Sequence, residues 1–275
     1  MHAHVYLLAI AALQGVTELF PISSLGHSIL VPALLHWPID RNAEWFLPFI
    51  VVLHLGTAAA LLLYFRRDWE RLIGGWVRAR GRTDDPDARL LWLLVAGTIP
   101  AGLLGLLLAH RIKALFGGFA FAAIALMLNG LLLIGGDYLK HRRGLRALPN
   151  LGWGRAFLIG LAQALALIPG FSRSGATLVA GLGLGLNYAD SARFSFLLAT
   201  PIIAAAGVLE VPKLLRVGVP HELLGTNAAA GVLAGVFAWL STWFLMRWFS
   251  KHDIGALRPF GIYCLLFGAL ALLAG

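Results

Sequence analysis

The chain has 275 residues, 59% of them hydrophobic and 13% charged, with a formal net charge of +9 and a mean hydropathy of +0.81. That is too little polar surface to cover a soluble globular domain, so the composition specifies a polytopic membrane protein. The positive charge sits in connections between apolar runs, where orientation and anionic headgroups account for it, so nucleic acid is excluded as a partner.

A helix needs about 20 apolar residues to cross the hydrocarbon core, and shorter apolar pieces are more often re-entrant or buried. In chain order, the first apolar run, over 5–35, is broken in its middle by Pro, Gly and Ser. It lacks a basic leading region and a small-residue cleavage site, so it is expected to belong to the mature fold rather than to a cleaved signal peptide. Spans follow over 45–65, 90–109 and 116–136, and a second broken run covers 153–187. Three more spans cover 193–211, 225–246 and 257–274. Cys264, the lone cysteine, falls in the last span and reads as packing, which excludes an intrachain disulfide and a cysteine-based metal cluster.

Lys and Arg concentrate in three connections: seven from Arg66 to Arg89, four from Lys140 to Arg146, and two from Arg247 to Lys251. The remaining connections carry only Arg41, Arg111, Lys113, Lys213 and Arg216. Positive residues favour the cytoplasmic side. All three basic connections share a side only if 153–187 returns to the face it entered from. The fold expected is therefore all-α: about six transmembrane helices plus two re-entrant helical hairpins, in one domain over 1–275. Its halves, about 1–140 and 150–275, would form an inverted-topology repeat with the hairpin tips meeting near the midplane. Non-helical backbone at that depth must be buried in protein or line a cavity, so the tips should line a site. The stretch Arg78–Asp87 reads as a polar, solvated connection.

The two tips share a pattern. Aligned from Gln14 and Gln163, Ser23 falls on Ser172 and Gly26 on Gly175. Gln14 and Glu18 are four apart, so on a helix they share a face and could present an amide and a carboxylate to one cation or proton. Ionisable groups at membrane depth are costly and usually functional. Ser23, Ser24, Gly26 and His27 follow Pro21 at a helix start. A turn that folded back would bring His27 to Glu18, making a Glu–His–Ser arrangement that activates an oxygen nucleophile. In the second copy, Ser172, Arg173 and Ser174 bring hydroxyls and a guanidinium, whose planar fork suits phosphate. Either Arg173 binds an anionic ligand or it pairs permanently with Glu18. His54, in the second predicted segment, reads as a helix-packing histidine within reach of the site.

These residues carry a resemblance. Gln14-x-x-x-Glu18 with Pro-x-Ser-Ser-x-Gly-His27, and Pro169-Gly-Phe-Ser-Arg-Ser-Gly-Ala-Thr177, resemble the undecaprenyl-diphosphate phosphatase family, also called the bacitracin-resistance protein family. Val95-Ala-Gly-Thr-Ile-Pro100-Ala-Gly and Phe194-Ser-Phe-Leu-Leu-Ala199 extend the likeness to nearly the whole chain. The resemblance implies hydrolysis of undecaprenyl diphosphate to the monophosphate carrier of peptidoglycan synthesis, in the bacterial cytoplasmic (inner) membrane. It implies Gln14 and Glu18 on a divalent cation, Mg²⁺ or Ca²⁺, and Ser24 and His27 in the catalytic group. Ser23, Ser172, Arg173, Ser174 and Thr177 would hold the diphosphate. Relatives often carry Glu at the Gln14 position and Gln at the His54 position. The expected partners are the prenyl diphosphate and the bilayer, with a homodimer open. The sequence leaves open whether His27 activates a serine, activates water or is itself attacked. The competing classes are a secondary transporter or flippase for a phosphorylated lipid, and a membrane scaffold. The carboxylate, hydroxyl and imidazole favour the enzyme, since a carrier of anions needs only the Arg and amides.

Overall fold

The computed structural model describes residues 2–39, 46–115, 118–140, 147–217, 221–252 and 254–275. Arg41 and the basic cluster at 141–146, which enter the sidedness argument, lie outside them. Eleven α-helices are described: α1 (His2–Thr17), α2 (Ser24–Leu34), α3 (Phe46–Tyr64), α4 (Arg66–Arg78), α5 (Pro86–Leu115), α6 (Phe119–Lys140), α7 (Trp153–Gln163), α8 (Arg173–Gly183), α9 (Tyr188–Val217), α10 (His221–Lys251) and α11 (Arg258–Ala274). Short 3-10 turns at Leu148–Asn150 and Ala164–Leu167 flank α7.

Stretches within α5, α6, α9 and α10 are long and apolar enough to cross a membrane. The α3–α4 pair qualifies as a fifth, bent by 75°, and α11 is a shorter apolar helix of 17 residues. The described parts of the six segments read from sequence are helical, but these lengths alone give four or five crossings. The run after Tyr64 departs from expectation: what reads as a basic connection begins with the amphipathic helix α4. Asp85 ends that connection by capping α5, its Oδ1 accepting from the N–H groups of Asp87 (2.8 Å) and Ala88 (3.0 Å), with Pro86 in the first helical position.

Both broken runs form helical hairpins with the same local chemistry. Pro21 has no N–H to continue α1, and Ser23 Oγ starts α2 by accepting from Gly26 N–H at 3.2 Å. Ser172 Oγ starts α8 in the same way, accepting from Gly175 N–H at 3.1 Å. Ser23 takes a left-handed φ of 68°, which costs a non-glycine residue strain that the surrounding packing must hold.

Helix neighbours exchange between the halves. α1 packs on α10 and α7 on α5; α3 packs on α10 and α9 on α5; α8 packs on α6 and α2 on α11. Small residues permit the closest crossings. A Cβ on Gly160 of α7 would lie 2.0 Å from Gly97 O of α5, and one on Gly15 of α1 would lie 2.3 Å from Ala234 O of α10.

The tips meet. A Cβ on Gly26 would come 3.2 Å from Gly170 Cα, and one on Gly175 would come 3.3 Å from Pro21 Cβ. Gly170 also has a φ of 106° and no room against Ala122 O, so no other residue fits there. Away from the tips, the buried carboxylate of Asp137 ties three helix ends. It accepts from the Tyr188 hydroxyl and from the N–H groups of Leu257 (3.3 Å) and Arg258 (3.0 Å).

Candidate active site

Glu18 sits at the first tip, just past α1, and its side chain is only 7% exposed. Four side chains converge on it. Ser24, the first residue of α2, donates its hydroxyl to Oε2 at 2.5 Å, and Gln14 Nε2 donates to the same oxygen at 3.1 Å. His54 Nε2, from α3, stands 3.3 Å from Oε2, while Arg173 Nη2, from the second tip, reaches Oε1 at 3.4 Å. His54 Nδ1 lies 2.8 Å from Ile50 O, so both ring nitrogens face acceptors, the arrangement an imidazolium satisfies. One carboxylate thus lies between a guanidinium and an imidazole, groups whose N–H donors suit an anion.

Arg173 is nearly buried yet sparsely bonded. Nη1 donates to Ser195 O at 3.3 Å, Nη2 makes the single contact with Glu18, and Nε has no partner among the described residues. The pairing with Glu18 is present, but it is one-pronged and leaves N–H donors over. Gln14 is fully buried, and its Oε1 likewise has no partner among the described residues.

His27 is elsewhere. It does not meet Glu18: Nδ1 bonds Ser23 O at 2.7 Å, and Nε2 pairs with the Tyr263 hydroxyl at 2.8 Å. The ring lies nearly parallel to those of Tyr263 and Phe267, with centroids 5.6 and 5.0 Å away, and is 1% exposed. The imidazole beside the Glu18–Ser24 pair is that of His54, which sequence reasoning had read as packing. The turn after Pro21 does not fold back because Ser23 O, one helical turn before His27, captures Nδ1.

The hydroxyls expected to hold diphosphate are committed to the protein. Ser174 Oγ donates to Phe20 O at 3.1 Å and Ser172 Oγ to the same oxygen at 3.4 Å, so the second tip is sewn to the first. Thr177 Oγ1 bonds Arg173 O (2.8 Å) and Ser195 Oγ (2.6 Å), fixing the base of the Arg173 side chain, and Ser23 serves as a helix cap.

Asn129 of α6 escaped the sequence reading. Its Nδ2 donates to Pro21 O at 2.9 Å and its Oδ1 accepts from Ser172 N–H at 3.0 Å, so one amide clamps both tips. An amide alone in the apolar run 116–136 was the available signal. Tyr263 gave none.

This geometry combines a carboxylate, a hydroxyl, a guanidinium and an imidazole where the starts of α2 and α8 come together. The chain also resembles known proteins over nearly its whole length. Residues 7–270 match the family described as bacitracin resistance protein BacA.

The chain belongs to this family.

Among relatives of the BacA type, an undecaprenyl-diphosphatase 2 of Chromobacterium violaceum is 60% identical over 266 residues, covering 97% of this chain and 96% of its own length. An undecaprenyl-diphosphatase of Acidiphilium cryptum is 51% identical, covering 96% and 95%, and an undecaprenyl-diphosphatase 2 of Burkholderia lata is 50% identical, covering 97% and 95%.

A dication in a BacA-type site can be tested against these donors. Among the described residues no three His, Cys, Asp or Glu side chains group as a metal cage. The Glu18 carboxylate and the unpartnered Gln14 Oε1 are hard oxygen ligands in one place. They fit a cation that takes its remaining ligands from water and substrate phosphate, as Mg²⁺ commonly does.

Proposed function

We propose that the protein hydrolyses undecaprenyl diphosphate to undecaprenyl phosphate and inorganic phosphate, recycling the lipid carrier of peptidoglycan synthesis and conferring bacitracin resistance. It would do so as a multi-pass protein of the bacterial inner membrane. The observation that carries the chemistry is the Ser24 hydroxyl donated to Glu18 at 2.5 Å, with Arg173 and His54 on the same carboxylate.

In the first step Ser24 Oγ attacks the terminal phosphorus while its proton passes to Glu18. The bond from that phosphorus to the bridging oxygen breaks, and its electron pair leaves on the prenyl monophosphate. Arg173 and His54 supply N–H donors to the phosphoryl oxygens, on which charge builds. The proton held by Glu18 departs with the prenyl phosphate. Glu18 then accepts a proton from the water that attacks phosphoserine, returns it to Ser24 Oγ, and phosphate is released. Gln14 and Glu18 would hold Mg²⁺ or Ca²⁺, which supplies Lewis-acid neutralisation of the diphosphate charge.

The same reading makes 1–140 and 150–275 halves of an inverted repeat in one membrane domain, with both hairpins re-entrant. The matched serine caps, the exchanged helix neighbours and the contact between tips support it. Each chain carries both half-sites, so turnover does not require a homodimer.

The decisive experiment is phosphate release from a polyprenyl diphosphate by detergent-purified protein, with and without chelator. Turnover lost on chelation and restored by Mg²⁺ or Ca²⁺ is expected. An inactive wild-type protein that instead moves the lipid between leaflets would favour a carrier.

A further inference from the structure

A second surface lies apart from the site, on α4. Twisted at 100° per residue, this helix has three sides. Asp68, Leu72 and Gly75 face inward, where Leu72 is fully buried and Asp68 pairs with Arg193 of α9. Beside them runs an apolar stripe of Ile73, Trp76 and Val77, which are 52%, 39% and 61% exposed. Arg67, Glu70 and Arg78 occupy the outer side, Arg66 opens the helix in line with the apolar stripe, from which its long side chain can snorkel to the headgroups, and Arg80 follows at the turn.

Orientation gives these sides a meaning. α4 leaves the apolar helix α3 at 75°. With α3 crossing the bilayer, α4 lies close to the membrane plane, held there by Arg71 bridging to Asp87 of α5 at 2.9 Å. An in-plane helix with an apolar stripe and a basic flank is the form that sits at the boundary of headgroups and acyl chains. Arg66, Arg67 and Arg80 are exposed and make no ion pair among the described residues, in contrast to Arg71, Arg78 and Arg82. Against these three cations the outer side sets one carboxylate, Glu70.

We propose that α4 is an interfacial anchor that inserts Ile73, Trp76 and Val77 into the lipid surface and binds anionic phospholipid headgroups through Arg66, Arg67 and Arg80. Juxtamembrane arginines attract anionic leaflets. Because α4 continues from α3, this contact sets the depth at which α3 presents His54. The proposal does not depend on the phosphatase reading.

The test uses full-length protein in nanodiscs, with nitroxide labels on Val77→Cys and Arg67→Cys; Cys264 is buried. Collisional accessibility should place the label at 77 in the oxygen-rich acyl boundary and the label at 67 in reach of an aqueous nickel complex. In discs of equal phosphatidylglycerol and phosphatidylethanolamine, native mass spectrometry should find phosphatidylglycerol retained preferentially. R66Q/R67Q/R80Q should lose that preference by about fivefold per arginine, on the order of a hundredfold in total, with unchanged thermal stability. A label at 77 exposed to water, close 77-to-77 distances between two copies, or an unchanged lipid preference in the triple variant would each overturn the proposal.

Discussion

Ser24 Oγ and Glu18 Oε2 are 2.5 Å apart across the turn that separates α1 from α2, so the first residue of one helix donates to the residue just beyond the other. In the proposed mechanism this contact lets Ser24 act as nucleophile with Glu18 as its base. Ser24→Ala and Glu18→Gln should each lower turnover on the order of a thousandfold or more with folding intact. Acid-quenched wild-type enzyme should carry phosphate on Ser24, detectable by peptide mass spectrometry. Near-normal turnover by Ser24→Ala would assign the attack to water.

Gln14 Oε1 is buried without a partner among the described residues. Replacing the amide by a carboxylate adds charge where the cation is to sit, and Gln14→Glu should retain activity. After chelation it should regain half-maximal rate at roughly tenfold lower dication concentration than wild type, because affinity rises with ligand charge. Identical titrations would remove residue 14 from the cation site. Full activity of Glu18→Gln in excess chelator would remove the cation itself.

Arg173 reaches across from the second tip with donors to spare. Arg173→Lys keeps the charge but loses the fork, and kcat/KM on a short-chain prenyl diphosphate should fall about a hundredfold or more. If both Arg173→Lys and Arg173→Ala turn over near the wild-type rate, the phosphate site lies elsewhere.

Asn129 satisfies a carbonyl on one tip and an N–H on the other. Asn129→Leu leaves both buried groups unpaired, at about 1–3 kcal/mol each. A lower unfolding temperature in detergent, together with lost activity, is expected; an unchanged melting curve would show that the clamp is dispensable.

The re-entrant reading is checked by labelling Ala189→Cys, in the first turn of α9. It should react from the same membrane face as Arg82→Cys, in the basic connection before α5. Labelling from opposite faces would break the inverted repeat.

Much of this was legible in the sequence because membranes restrict the choices. Backbone at depth must be helical or enclosed, so the all-helical fold and the breaks at Pro21 and Pro169 are legible from apolar length and composition, while the number of crossings is not. Helix limits were less so: α5 and α9 extend beyond their apolar stretches through polar residues such as Asp87 and Asp190, which suit a helix start. α4 was missed because its arginines dominate the composition, although Trp69, Leu72, Ile73, Trp76 and Val77 already recur at helical spacing. At the site, residue types were readable but not partners. Whether His27 or His54 faces Glu18 depends on the crossing of α3 with the first hairpin and on Tyr263, more than two hundred positions away from His27. No spacing rule encodes that.

The ion pair between Glu18 and Arg173 straddles the seam between the two halves of the chain. A carrier that alternates between faces must open such a seam on every cycle. Here, parting the halves would pull the guanidinium from the carboxylate and tear Ser172 and Ser174 from Phe20 O, so the reacting groups would be scattered by the very displacement that moves cargo. On the proposed reading the halves stay together through turnover, and the lipid headgroup comes to a stationary centre and leaves from it.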